Sequence, residues 1–323
     1  MSENIKTEKS NIKKNKNIGI FIIFFVIALL ISAELICFIV TSVELNNYKK
    51  QLDVVSDKED LTKWKPGYKI LQDFPVDSFR PYSVKNNGKK PVLWFGCSFA
   101  EGNFIPDGRT PYDKLSDLTG RTCINRAQCG SGLQYIYNQL QTFDFKKIAP
   151  DVDYIVYVYI DDHLHRLYAY QHNPLSNVFN IRYVYKNKKL QKVPSCIKYL
   201  YSFYLVQRLA NIKTKYQWRK EYIDHRLFNI TIREITTKLK ELYPSSKFIL
   251  IEFSTKDQIK TTDFLPDWEV KQLEEYGIDV VKLRDYTGDI DITDDKYWFE
   301  DKVHPREELW DILLPELVKK YNM

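Results

Sequence analysis

Two short segments, Tyr154–Ile160 and Phe248–Phe253, are almost unbroken runs of apolar and aromatic residues. Runs this short cannot cross a membrane, and without a polar alternate they have no wet face. They suit strands covered on both sides, as in a parallel sheet. Strand-like runs recur at Val92–Phe95, Thr122–Asn125, Tyr154–Ile160, Lys247–Phe253 and Ile278–Leu283. Helix-compatible stretches separate or follow them at Pro111–Leu118, Leu133–Phe143, Leu227–Tyr243, Asp267–Tyr276 and Arg306–Tyr321. Strand and helix in alternation predict an α/β fold with a doubly wound, mostly parallel five-stranded sheet. The rhythm breaks at about residues 163–226, where a hairpin (Arg182–Tyr185 with Leu190–Val193) and a helix-like Tyr199–Ile212 read as an insertion. It falls on the sheet edge where α/β folds bind ligands, so it is either a cap over substrate or a structural elaboration. Its basic and aromatic residues, among them Lys186, Lys188, Lys189, Trp218 and Arg219, read either as a solvated surface or as a site for an anionic polymer or headgroups, the solvated surface being favoured.

Ahead of this domain, Ile18 to Val40 is almost wholly apolar, with Glu34 as its one charge. At about 1.5 Å per residue such a run crosses a hydrocarbon core roughly 30 Å thick. Ile31 spoils a small-residue cleavage site at Ala33, and more apolar sequence follows, so residues 18–43 read as an uncleaved signal anchor. The lysine-rich residues 1–17 then lie in the cytoplasm, and everything after the span faces outward. Residues 44–90 read as a stalk and preamble, and 91–323 as the α/β domain. Glu34 is a candidate contact for a partner helix in the bilayer. The net charge of +6 is partly this N-terminal lysine cluster, and the remainder is too weakly basic for a nucleic-acid surface. The cysteines show no metal-type pairing; Cys123 and Cys129 read equally as a bridge or as buried thiols.

The chemistry lies at two loops. Val92–Phe95 ends at Gly96 and delivers Cys97-Ser98-Phe99-Ala100, a small nucleophile at a strand-to-loop turn. Near the far end comes Asp301-Lys302-Val303-His304-Pro305. An Asp three residues before a His can reach its Nδ1–H and leave Nε2 for a serine hydroxyl. Pro305 suits the first turn of the following helix. A second Asp-x-x-His, Asp162 to His165, competes for the same reading. Asp161, Asp162, His163 and His165 also resemble a metal cluster, but neighbours at a strand end do not all point one way, and no metal is expected.

Together these blocks resemble the SGNH (GDSL-like) hydrolase superfamily, with Cys97 in place of the usual Asp of its first block. The resemblance covers roughly residues 90–321 outside the insertion, and implies a catalytic set of Ser98, Asp301 and His304. It implies an oxyanion hole from the backbone N–H groups of Ser98 and Gly130, within Asn125–Gly132. The family's third block supplies an Asn at the position of Asp161, and an ionised Asp cannot donate there. Asp162, His163 and Arg166 match a membrane-anchored bacterial subgroup with a Gly-Cys-Ser-Phe first block and are candidate supporting residues. The implied activity is an extracytoplasmic serine esterase or O-acyltransferase, needing no cofactor, whose ester substrate would be acyl groups of envelope glycans. The alternative is a catalytically weak relative that binds glycan or scaffolds an envelope complex.

Overall fold

The computed structural model describes residues 21–40, 82–85, 87–167, 183–192, 225–256, 265–288 and 290–323, with Val43, Arg80 and Leu209. Phe21–Val40 forms a 20-residue helix, α1, none of it buried against the rest of the protein. Its length and composition suffice to cross a membrane.

In the domain, β1 (Val92–Phe95) leads into the one-turn helix α2 (Ser98–Glu101), then α3 (Pro111–Thr119) and β2 (Cys123–Asn125). Helices α4 (Leu133–Thr142) and α5 (Phe145–Ile148) precede β3 (Tyr154–Tyr159) and α6 (Asp162–Leu167). The hairpin β4 (Tyr183–Lys186) and β5 (Lys189–Lys192) comes next. There follow α7 (His225–Leu242), β6 (Lys247–Glu252), α8 (Asp267–Glu275), β7 (Ile278–Lys282) and α9 (Glu307–Tyr321).

The main sheet has five strands in the order β2-β1-β3-β6-β7, every pair parallel. Alternate residues point to opposite faces, and both faces are covered. Val92, Trp94, Val156 and Val158 join one core with Leu309, Leu313 and Leu317 of α9. Leu93, Phe95, Ile155 and Tyr157 join the other with Leu133 of α4 and Ile232 and Ile235 of α7. That double burial is why the central runs lack polar alternation. The chain moves outward from β1 to β2 and then returns across β1 to β3. Crossovers leave opposite faces there, opening a crevice beyond the carboxyl ends of β1 and β3. Ser98 stands at that end of β1.

The local signals behave as their chemistry requires. Thr110 caps α3 by accepting from the Asp113 N–H, Pro111 opens the helix, and Gly120 closes it in a left-handed conformation. In the hairpin, Asn187 (φ 53°) and Lys188 (φ 60°) are both left-handed, the geometry of a two-residue turn matched to strand twist. Apart from Leu209, the helix read at Tyr199–Ile212 lies outside the described residues. Pro305 departs from the sequence reading: α9 starts two residues later, at Glu307, and Pro305 instead bridges to Trp298 across the preceding loop. Within the 44–90 segment, Arg80 is buried against the domain. Its guanidinium donates to the carbonyl oxygens of Glu101 (3.2 Å), Gly102 (2.8 Å) and Ile105, and pairs with Asp107.

Candidate active site

The turn that carries Ser98 is built on Gly96. With φ 153°, a Cβ there would collide with the Ala100 Cβ and come within 3.1 Å of the Val158 carbonyl oxygen. Glycine alone lets β1 end this close to β3 and turn at once into α2. Cys97 takes the extended N-cap position, and Ser98 is the first helical residue. The Cys97 side chain is buried and its thiol contacts Arg166 of α6. Burial pushes that thiol up, so it stays protonated and inert.

The loop between β7 and α9 supplies the partners. One carboxylate oxygen of Asp301 accepts the backbone N–H groups of Val303 and His304, both at 3.0 Å. Lys302 adopts φ 58° to allow this turn, and the Phe299 N–H closes it onto the His304 carbonyl at 3.0 Å. The other Asp301 oxygen accepts from His304 Nδ1 at 2.5 Å. The Ser98 hydroxyl donates to His304 Nε2 at 2.8 Å, across 206 residues of sequence. Phe99 and Phe104 flank the imidazole, with ring centroids 5.4 and 5.3 Å away. Burial alone would raise the Asp301 pKa, but the hydrogen bonds from the His304 ring and the two backbone N–H groups outweigh it and hold it below the usual range. An ionised Asp301 fixes the imidazole tautomer with its proton on Nδ1, leaving Nε2 as the acceptor.

Beside Ser98, His304 and Asp301 lies the loop Gln128–Gly132, which carries Gly130 (φ 76°). It is tied to the turn at Gly96–Ser98 at several points. The Gln128 N–H donates to the Gly96 carbonyl at 3.1 Å, and the Ser131 hydroxyl donates to the same oxygen. Arg166 holds the Ser131 carbonyl at 2.5 Å. The Cys129 N–H donates to the Glu101 carboxylate at 2.6 Å, and its thiol contacts the Ser98 side chain. Cys123 and Cys129 are both free: Cys123 is buried in β2, whereas Cys129 is exposed beside Ser98.

Asp161 sits in the turn between β3 and α6, partly exposed, its carbonyl accepting the Leu164 N–H at 3.0 Å. Its two neighbours are engaged elsewhere. Asp162 pairs with Arg166 at 2.5 Å, which takes the acid of the competing Asp162–His165 pair. His163 is fully buried and shares a 2.6 Å hydrogen bond with the Tyr157 hydroxyl through Nδ1. Burial holds the His163 ring neutral, and nearby Arg166 acts in the same direction. These contacts give Asp162, His163 and Arg166 a place behind the Gln128–Gly132 loop. Among the described residues, no group of three His, Cys, Asp or Glu side chains is arranged to hold a metal ion.

Spacing suggested the Asp301–His304 pair, and the resemblance and the order of the blocks along the chain added Ser98; the structure brings all three together. Sequence reading missed Glu101, Arg80 and the Cys129 thiol. Their partners lie 21 to 31 residues away and belong to no short motif.

No protein-family model matches the chain, and no curated protein matches it. Among solved structures it is similar to a member of the lipolytic protein G-D-S-L family from Veillonella parvula DSM 2008. That likeness has 11% identity and a TM-score of 0.43, covering 72% of this chain and 99% of the other. A putative lipolytic protein of the G-D-S-L family from Desulfitobacterium hafniense DCB-2 gives 12% identity and 0.41, covering 72% and 99%. An acetylxylan esterase from Geobacillus stearothermophilus gives 12% and 0.39, covering 74% and 97%. Likeness at this level names no substrate for this chain.

Proposed function

We propose that this protein is a membrane-tethered serine ester hydrolase working through an acyl-enzyme. The observation that carries the reading is the continuous relay from Ser98 Oγ to His304 Nε2 (2.8 Å) and from His304 Nδ1 to Asp301 (2.5 Å). A serine hydroxyl is a poor nucleophile until a base removes its proton, and an imidazole anchored by a carboxylate is suited to do so. In the first half-reaction Ser98 attacks the ester carbonyl while His304 takes its proton and then delivers it to the departing alcohol. In the second, His304 activates the acceptor that releases the acyl group. Water as acceptor completes an esterase cycle, and a sugar hydroxyl would make the same site a transferase.

The backbone N–H groups of Ser98 and Gly130 are the proposed oxyanion donors, each of a kind worth about 3 kcal/mol. Asp161 occupies the end of β3 where a side-chain donor would help, so the hole leans on backbone groups. The proposed substrate is an O-acylated glycan of the cell envelope, on the inference that α1 anchors the domain outside the cytoplasm. A fluorophosphonate probe tests the nucleophile directly. Full-length protein in detergent is expected to label, and Ser98→Ala to lose the label. A folded wild type that does not label sinks the enzymatic reading in favour of a glycan-binding or scaffolding role.

A further inference from the structure

Glu101 is an unusual residue to find at the end of α2. It is 4% exposed, in a turn whose other residues are Ser98, Phe99 and Ala100. Its carboxylate accepts the Cys129 N–H at 2.6 Å, and Cys129 immediately precedes Gly130. One end of the four-residue helix α2 therefore carries the nucleophile, and the other end grips the loop that presents Gly130. The grip is itself braced. Arg80 donates to the carbonyl oxygens of Glu101 and Gly102 at 3.2 and 2.8 Å, fixing the helix end from outside.

We propose that Glu101 is a positioning residue of the ester-cleaving reaction: its carboxylate sets the distance between Ser98 and the Gly130 N–H that would receive the oxyanion. The assignment rests on the Ser98–His304–Asp301 reading above. Oxyanion donors work because they are placed before charge develops, and a loop free to drift would have to reorganise during the step. A hydrogen bond to an ionised acceptor is roughly twice as strong as one to a neutral acceptor, so the tie is firmest when Glu101 is charged. The charged and titratable groups facing it are Arg80 from the preamble, Tyr112 from α3 and the Cys129 thiol from the loop. Burial pushes Glu101 up to about 7, against the opposing effects of the Cys129 N–H and Arg80. The tie therefore weakens on mild acidification, over and above the protonation of a histidine base.

The test compares kcat and KM for a small aryl acetate across pH in full-length wild type, Glu101→Gln and Glu101→Ala. Gln keeps an acceptor without the charge, and Ala removes both. The expected result is an unchanged KM with kcat reduced about tenfold in Gln and further in Ala, as befits a weakened transition-state donor. The acid limb, steeper than about tenfold per pH unit in wild type where both groups protonate, should relax to a single-proton slope in Glu101→Gln. Amide exchange at Cys129, read in a Ser98→Ala background, should quicken in Glu101→Ala independently of turnover. A folded Glu101→Ala with wild-type kcat, a loss confined to KM, or an unchanged acid limb in Glu101→Gln overturns the proposal, as does unchanged exchange. If wild type neither turns over nor labels while the exchange still depends on Glu101, it is the esterase reading that fails.

Discussion

At the scale of single residues, the site contains one half-buried carboxylate, Asp301, and one buried carboxylate, Glu101, pushed in opposite directions. Asp301 is held below its ordinary range because its hydrogen bonds outweigh its burial. Glu101 is raised from 4.5 to about 7 because burial outweighs its partners. Their effects on stability therefore have opposite signs. Asp301 contributes stability that is present above its unfolded pKa and lost only as pH falls through its lower folded value. Glu101 stays protonated in the folded chain after its unfolded counterpart has ionised, so stability falls as pH rises from 4.5 to about 7. Thermal melts of wild type and Glu101→Gln across that window check this: the mutant should lose that component of the decline, and parallel curves would contradict it. Asp301→Asn should leave the fold intact yet drop kcat by about 10⁴, since the amide can no longer hold the productive tautomer. His304→Ala should abolish ester cleavage and His165→Ala should spare it. Equal activity in the two single mutants would refute the triad.

At the scale of elements, five strands were legible because each is a short apolar run bounded by turns, and their ends shifted by at most one residue. The pattern Asp-x-x-His was legible too, although two copies of it competed. Geometry decides between them, because Arg166 occupies Asp162 while Asp301 is turned onto His304. What the sequence hid were α2, α5 and α6, of four to six residues, too short to show a helical period. Their role is to aim side chains: α2 presents Ser98 and Glu101, and α6 presents Asp162, His163 and Arg166. Gly96 was legible as the end of a strand, but its steric necessity was not, because Val158 and Ala100 close in only after the sheet forms. Gly96→Ala must place a methyl group into that contact and is expected to cost about 3 kcal/mol. A denaturant midpoint within a few tenths of a kcal/mol of wild type would show that the turn tolerates a side chain.

At the scale of the whole molecule, topology and chemistry meet at the membrane. The apolar helix Phe21–Val40 is long enough to span, and Lys6, Lys9, Lys13, Lys14 and Lys16 precede it. On the proposed reading, the positive-inside preference puts the α/β domain on the outer side, where ester-linked acyl groups on envelope glycans would be within its reach. Among the described cysteines Cys129 is the one exposed residue, beside Ser98, whereas Cys97 and Cys123 are buried, so it offers a reporter of that placement, reacting slowly because burial of its sulfur pushes the thiol up. A membrane-impermeant maleimide added to intact cells should label the full-length protein, with a clear drop in Cys129→Ser. A label at Cys129 should also slow turnover, since its thiol contacts the nucleophile. Cys129→Ser should keep its activity after the same treatment. Labelling of Cys129 only after lysis would place the domain on the cytoplasmic side, and would redirect the substrate search to intracellular esters while leaving the relay through His304 untouched.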